Sequence, residues 1–184
     1  AVPRDISLLI VYYNKDLFRK SGVAEPQNGW TREEFLAKAL KIKEKTGMFG
    51  ISFEDDPLFY LPYVMSEGGS FSEINSPQAQ KALNFYADLR KKYHVAPKRE
   101  ESASATMAQM FLQGKLAMHL SGRWLTPKYL EEAKFDWGTV VFPAGDEGSI
   151  VPLAASGWAV AQSSKHKEEA IEFVNYVSSR EVFE

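Results

Sequence analysis

The chain has 184 residues, of which 45% are hydrophobic and 13% aromatic, so it has enough apolar residues to bury a substantial core and too many to be disordered. Its 22 basic and 24 acidic residues are interspersed and leave a net charge of -2, which is atypical of a nucleic-acid-binding domain, and no nucleic acid partner is predicted. Cysteine is absent, which excludes a disulfide scaffold and a thiolate metal site without identifying the compartment.

Apolar periodicity and helix-start signals divide the chain into alternating strands and helices, which is typical of the α/β class. Thr31 and Glu34 form a capping box, and Ser76 precedes a proline at the first position of a helix. In chain order the predicted elements are a strand (6–13), two helices (14–20, 31–47), a strand (50–53), three helices (57–67, 77–93, 103–113), a strand (116–120), a helix (125–133), two strands (136–142, 158–161) and a helix (167–178).

Two tryptophans lie beside glycines in the second half of the chain. One belongs to Gly122-Arg123-Trp124, and the other follows Gly157 as Trp158. A flexible turn can hold an indole over a cleft, and no nucleophile with its base is recognisable near either ring. The pattern predicts a protein that grips a flat, hydroxylated ligand without reacting with it.

Seven short motifs, in order along the chain, resemble those of bacterial extracellular solute-binding proteins of the maltose-binding type. Each motif is weakly specific alone, and together they span almost the whole chain. They are LIVYYNKDLF at 9–18, WTREEF at 30–35, EGG at 67–69, FLQGKLAM at 111–118, GRW at 122–124, FDWG at 135–138 and SKHKEEA at 164–170.

The resemblance implies a fold of two α/β lobes around a cleft, joined by crossing strands. This chain would be mainly the second lobe, a three-layer mixed sheet flanked by helices, because the YNKD motif already begins at Tyr13. Residues 1–158 would form that lobe with its cleft-lining loops. Residues 159–184 would form a crossover strand and a helix of the first lobe, which is largely absent.

The family resemblance also implies the function. The protein would be the substrate-binding component of an ABC transporter, closing on a sugar or oligosaccharide and delivering it to membrane permease subunits. The full-length protein would be periplasmic or extracellular and associated with the membrane, although no signal segment is recognisable here. The helix over 167–178, without its lobe, is expected to pack on a neighbouring chain, fold back or be poorly ordered, so self-association of the fragment is predicted.

The resemblance assigns ligand contacts residue by residue, and each has a structural alternative. Trp124 matches the stacking tryptophan of the family but could be a core ring, and Trp158 could be an ordinary aromatic at a strand edge. Asp56, before Pro57, matches a ligand-contacting acid but could simply favour the helix start. Leu58 stands where the family often has an aromatic residue. The predicted ligand-binding residues are Trp124, Trp158, Gly157, Asp56, Tyr60, Phe59 and Arg123.

Other residue types allow competing interpretations. Arg4 and Asp5, expected just before the first strand, could line the cleft or be surface charges. Trp30 and Trp137 are predicted to be structural. The alternative function is a carbohydrate-active hydrolase with acid and base among Asp55, Asp56 and Glu67, although adjacent residues point in different directions. The three histidines have no metal-ligand spacing, and no cofactor or metal is predicted.

Overall fold

A computed structural model describes residues 1–183, which form two compact units. One unit comprises Ala1–Leu8 together with 153–183, and the other runs from Leu9 to Pro152. Within the described residues, no helix combines the length and the apolar character needed to cross a bilayer.

Five strands form one mixed sheet in the order β2-β3-β1-β4, with β5 paired to β1. The β2 and β3 strands are parallel, whereas β1 pairs antiparallel with β3, β4 and β5. The strands are β1 (Val2–Asn14), β2 (Phe49–Ile51), β3 (Leu116–Gly122), β4 (Trp137–Val140) and β5 (Leu153–Trp158).

The helices begin where the sequence supplies caps. The Thr31 hydroxyl accepts a hydrogen bond from the Glu34 amide as the capping box requires, and Ser76 caps its helix through the Ala79 amide. The helices are α1 (Lys15–Ser21), α2 (Arg32–Thr46), α3 (Pro57–Ser66), α4 (Pro77–Lys91), α5 (Met107–Leu112), α6 (Thr126–Glu132), α7 (Lys167–Val177) and α8 (Arg180–Phe183), with a 3-10 turn over Arg123–Leu125.

Side chains of β1 alternate between two cores, as the two-residue period of a strand requires. Leu9, Val11 and Tyr13 belong to one apolar cluster, which includes residues of α1 to α4. Tyr12 and Ile10 belong to a second cluster with α5 and α6. Helices therefore cover both faces of the sheet in the unit 9–152, which confirms the predicted three-layer α/β architecture.

Three predicted elements differ from the observed ones by four residues or more at one end. The first strand begins at Val2 because its start pairs with β5, which places Arg4 and Asp5 inside the strand. The helix expected over 103–113 begins at Met107, since Thr106 and Gln109 form a capping box there. The last strand, predicted over 158–161, covers 153–158 instead, because it pairs with β1 from Leu8 back to Val2.

Candidate ligand-binding site

Trp124 follows the end of β3 in the 3-10 turn, and 48% of its surface is exposed. Its six-membered ring lies against Gly122, where a Cβ atom would overlap Cζ3, Cε3 and Cη2 of the indole. The backbone thus covers part of the ring and leaves the remainder open to solvent. Arg123 in the same turn is exposed. An open, supported indole of this kind is a suitable platform for the apolar face of a ligand.

The segment after β2 leaves the sheet toward the same edge as this turn, because β2 and β3 are parallel. The β3 strand continues from Met118, the partner of Ile51, to Gly122. Ser52 connects the end of β2 to β3. Its amide donates to the Met118 carbonyl oxygen at 3.1 Å, and its hydroxyl accepts from the Leu120 amide at 3.1 Å. Ligands of α/β proteins commonly bind at the carboxyl ends of parallel strands.

Two of the three acidic residues after β2 have structural partners. Asp56 is the N-cap of α3, and its carboxylate accepts from the Leu58 amide at 2.8 Å. Asp55 forms ion pairs with Arg90 at 3.5 Å and with Arg99 at 3.3 Å. Asp56 is also exposed, so capping leaves part of its carboxylate accessible to a ligand.

Glu54, the third of these acidic residues, was not among the ligand-binding residues predicted from the sequence. The Tyr86 hydroxyl fixes its backbone, accepting from the Glu54 amide at 3.0 Å and donating to its carbonyl oxygen at 2.7 Å. Burial raises the pKa of the half-buried Glu54 carboxyl, as do Asp55 and Asp56, while Arg90 lowers it. No side-chain hydrogen bond or ion pair to this carboxyl occurs within residues 1–183.

The Glu54 side chain lines an open cavity of about 480 Å³ in the same unit. Its walls combine acidic and basic groups with hydroxyls and the edge of an aromatic ring. Phe53 stacks on Tyr86 with the ring centroids 4.2 Å apart, and the Arg90 guanidinium lies 3.7 Å from the Phe53 centroid. The remaining walls come from Arg99, residues 102–107 and Gln109. Such a mixed lining suits a polar ligand that offers both donors and acceptors.

The aromatic residues predicted after Pro57 are less open than Trp124. Phe59 and Tyr60, in the first turn of α3, are half-buried and pack against the larger apolar cluster. The Tyr60 ring lies 6.2 Å from that of Tyr86. They retain part of their surface for a ligand, while most of their packing supports α3.

Trp158 lies in the other unit, at the end of β5, and is 36% exposed. The Arg4 guanidinium lies 5.3 Å from its ring centroid and forms an ion pair with Asp5 at 3.2 Å. Gly157 is opposite Pro3, and a Cβ atom there would lie 2.9 Å from the Val2 carbonyl oxygen. Close strand pairing therefore explains this glycine, and Arg4 is a contact of Trp158 that sequence analysis did not assign.

The other two tryptophans are structural, as predicted. Trp30 is buried and donates from Nε1 to the Val141 carbonyl oxygen at 2.8 Å. Trp137 packs beside Tyr12 in the second cluster, with the ring centroids 5.7 Å apart.

Across residues 1–183, no three His, Asp or Glu side chains converge to hold a metal ion.

The family model of bacterial extracellular solute-binding proteins matches residues 2–182. The chain belongs to this family. The match confirms the resemblance inferred from the seven motifs.

Individual solute-binding proteins show similarity along the same length. The maltodextrin-binding protein of Bacillus subtilis is 26% identical over 97% of this chain and 45% of its own. A substrate-binding protein of Listeria monocytogenes in complex with cycloalternan superposes with a TM-score of 0.83 at 27% identity, covering 98% of this chain and 48% of that one. The GacH receptor of Streptomyces glaucescens, studied with acarbose, superposes with a TM-score of 0.79 at 30% identity, covering 99% of this chain and 49% of that one. The chain therefore spans about half the length of the proteins it matches.

The hydrolase alternative gains no support from the family or from the geometry. Asp56 and Glu67 cap opposite ends of α3, whose 10 residues extend about 15 Å. Catalytic carboxyl pairs of glycosidases lie about 5 to 9.5 Å apart across the sugar. Glu67 is also buried in ion pairs with Arg32 and Lys81.

Proposed function

We propose that this chain is the second-lobe part of an ABC transporter substrate-binding protein and that it binds a sugar or oligosaccharide at the edge of the sheet where β2 and β3 end. The observation that supports this most strongly is Trp124, whose indole is half exposed and braced on the Gly122 backbone. A pyranose has an apolar C–H face and a rim of hydroxyls, and a flat ring matches that face. The relatives named for maltodextrin, cycloalternan and acarbose support an oligosaccharide as the first ligand to test.

Polar side chains of the segment after β2, at the same edge of the sheet as Trp124, would bind the hydroxyl rim. Glu54 is half-buried without a side-chain hydrogen-bond partner in the described chain, so its carboxylate would accept hydrogen bonds from the sugar hydroxyls without giving up an existing bond. Asp56 and Arg123, both exposed, would add an acceptor and a donor. Phe59 and Tyr60 would extend the apolar surface. The remaining predicted contacts, Trp158 and Gly157, belong to the other unit and stay predictions from the family resemblance.

In the complete protein, a ligand that bridges two lobes would shift an open–closed equilibrium, and permease subunits would recognise the closed form. This mechanism requires a periplasmic or extracellular location beside the membrane. Residues 159–184 would belong to the first lobe. Affinity near 1 µM, about -8 kcal/mol, is expected of the complete protein, whereas the 184-residue chain alone would bind weakly because it lacks the opposing contacts.

The substitution Trp124→Ala tests the platform. In the complete protein, maltodextrin at 100 times its dissociation constant would stabilise the wild type by about 2.7 kcal/mol, and the variant would lose this stabilisation because its stacking surface is gone. Differential scanning calorimetry with and without sugar measures the change. Phe71→Ala is the matched control, since Phe71 is an exposed aromatic of the same unit outside the site. Ligand-induced stabilisation that persists in Trp124→Ala would refute the assigned platform.

A further inference from the structure

We propose that the buried hydroxyl of Tyr12 and the missing side chain of Gly122 position Trp124 for ligand stacking. Tyr12 is then a positioning residue, which acts on the ligand only through the indole. The proposal deepens the proposed function and rests on it for its effect on sugar binding. The placement of the ring is a separate claim with a separate readout.

Hydrogen bonds link Tyr12 in β1 to the turn that holds Trp124, across 110 residues of sequence. The Tyr12 hydroxyl donates to the Gly122 carbonyl oxygen at 3.1 Å and lies 2.8 Å from Thr126 Oγ1. Because a phenol has one proton and Gly122 accepts it, the Thr126 hydroxyl is the donor in the second bond. The two bonds hold the turn on both sides of Trp124. One bond is to Gly122, which precedes the turn, and the other is to Thr126, the first residue of α6.

Tyr12 is itself rigidly held. Its side chain is fully buried, and its ring meets the edge of Tyr129 with the centroids 4.9 Å apart at 89°. Trp137 packs on it from β4. Burial also raises the pKa of the Tyr12 hydroxyl, despite the opposing effects of Thr126 and Arg123, so the hydroxyl keeps its proton and remains a donor at neutral pH.

Gly122 contributes space to this arrangement. Its φ of -83° is accessible to any residue, so backbone conformation does not require glycine there. The requirement comes from the indole, because a Cβ atom at 122 would occupy the position of the Trp124 ring. With glycine, the ring can lie directly on the backbone whose carbonyl Tyr12 holds, and ring and backbone are fixed together.

A buried hydroxyl must find a partner in any core, so the bond to Gly122 could stabilise the fold without influencing Trp124. Tyr129 provides the comparison that separates the two roles. It is as deeply buried as Tyr12, belongs to the same cluster, and its hydroxyl is 2.5 Å from His119 Nδ1. No bond from the Tyr129 hydroxyl to the 122–126 backbone occurs in the described structure.

The experiment compares Tyr12→Phe with Tyr129→Phe by 19F NMR of the 184-residue chain labelled with 5-fluorotryptophan, with the Trp124 resonance assigned by its loss in Trp124→Phe. Removing the Tyr12 hydroxyl should shift or broaden the Trp124 resonance, and removing that of Tyr129 should leave it in place. In the complete protein, calorimetric titration with maltodextrin should show about a threefold to tenfold weaker affinity for Tyr12→Phe. Tyr129→Phe should bind as the wild type does, although both variants unfold more easily.

Two further variants keep the test decisive if Tyr12→Phe fails to fold. Thr126→Val, at a half-buried position, removes the second bond and should move the same resonance. Gly122→Ala should move it most, because the methyl group displaces the ring. A Trp124 resonance that is unmoved by these changes, or moved equally by Tyr129→Phe, overturns the positioning role. If the resonance moves as expected but the wild type binds no sugar, the proposed function fails and the positioning of the ring stands.

Discussion

His119 is an ionisable side chain buried in the centre of β3, where the strand is covered on all sides. Burial lowers its pKa from 6.5 to about 3, so the folded protein keeps the ring neutral, with Nδ1 bonded to the Tyr129 hydroxyl. Phe111 packs against the ring at a centroid distance of 6.1 Å. The sequence identified this histidine only as one with no metal-ligand spacing.

This histidine should make stability depend on pH. Between pH 6.5 and about 3 the unfolded chain binds a proton on His119 that the folded chain does not. The contribution of His119 to the unfolding free energy is therefore complete above pH 6.5 and declines as the pH falls. One proton gives a slope of at most about 1.4 kcal/mol per pH unit. In the His119→Gln variant, the slope of the unfolding free energy against pH should be smaller by up to that amount. His166→Gln, at an exposed position, should leave the slope unchanged, and equal slopes for all three proteins would contradict the assignment.

At the scale of elements, Glu67 connects three helices at the end of α3. Its carboxylate is buried and forms a charged hydrogen bond with Arg32 of α2. Lys81 of α4 approaches its other oxygen at 2.5 Å as an ion pair without hydrogen-bond geometry. Lys81 also donates to the exposed Asp146 at 2.7 Å. The arrangement explains why an acidic residue follows an otherwise apolar helix.

The Glu67→Gln variant leaves a guanidinium without its carboxylate in a partly buried setting. Breaking such a pair should cost about 3 kcal/mol of unfolding free energy, the lower end of the usual range because Lys81 is half exposed. Urea unfolding followed by circular dichroism measures the loss. Asp146→Asn is the control, since it removes only an exposed partner of Lys81 and should change stability little. Equal midpoints for the two variants would show that the buried carboxylate is not needed to hold the helices together.

At the scale of the whole molecule, the smaller unit exposes a large apolar surface. No residue of α7 is buried, and Ile171, Phe173 and Tyr176 are 51%, 61% and 60% exposed. Ile6 and Leu153 in the paired strands of the same unit are similarly open. Surfaces of this kind usually contact another protein surface. We propose that the first lobe covers them in the complete protein and that a second copy does so in the isolated chain.

Sedimentation velocity over a range of concentrations tests this proposal. The 184-residue chain should associate as its concentration rises, because burying α7 removes apolar area from water. The double variant Ile171→Ser, Phe173→Ser should remain monomeric. Leu130→Ser, at an exposed apolar position of the other unit, should associate like the wild type. A chain that stays monomeric at all concentrations would contradict self-association through this helix.

The sequence by itself determined the α/β class, the family and most helix starts of this protein. Those features depend on nearby residues, since Thr31 caps through Glu34 and Ser76 through Ala79, and the motifs are short stretches of chain. The tertiary structure decided that β1 begins at Val2, that Glu54 lines a cavity, and that Tyr12 meets the turn of Trp124. Each of these depends on the strand pairing that brings distant residues together. A short motif contains no information about such distant partners. It therefore identified Trp124 as a candidate without predicting which residues support the ring.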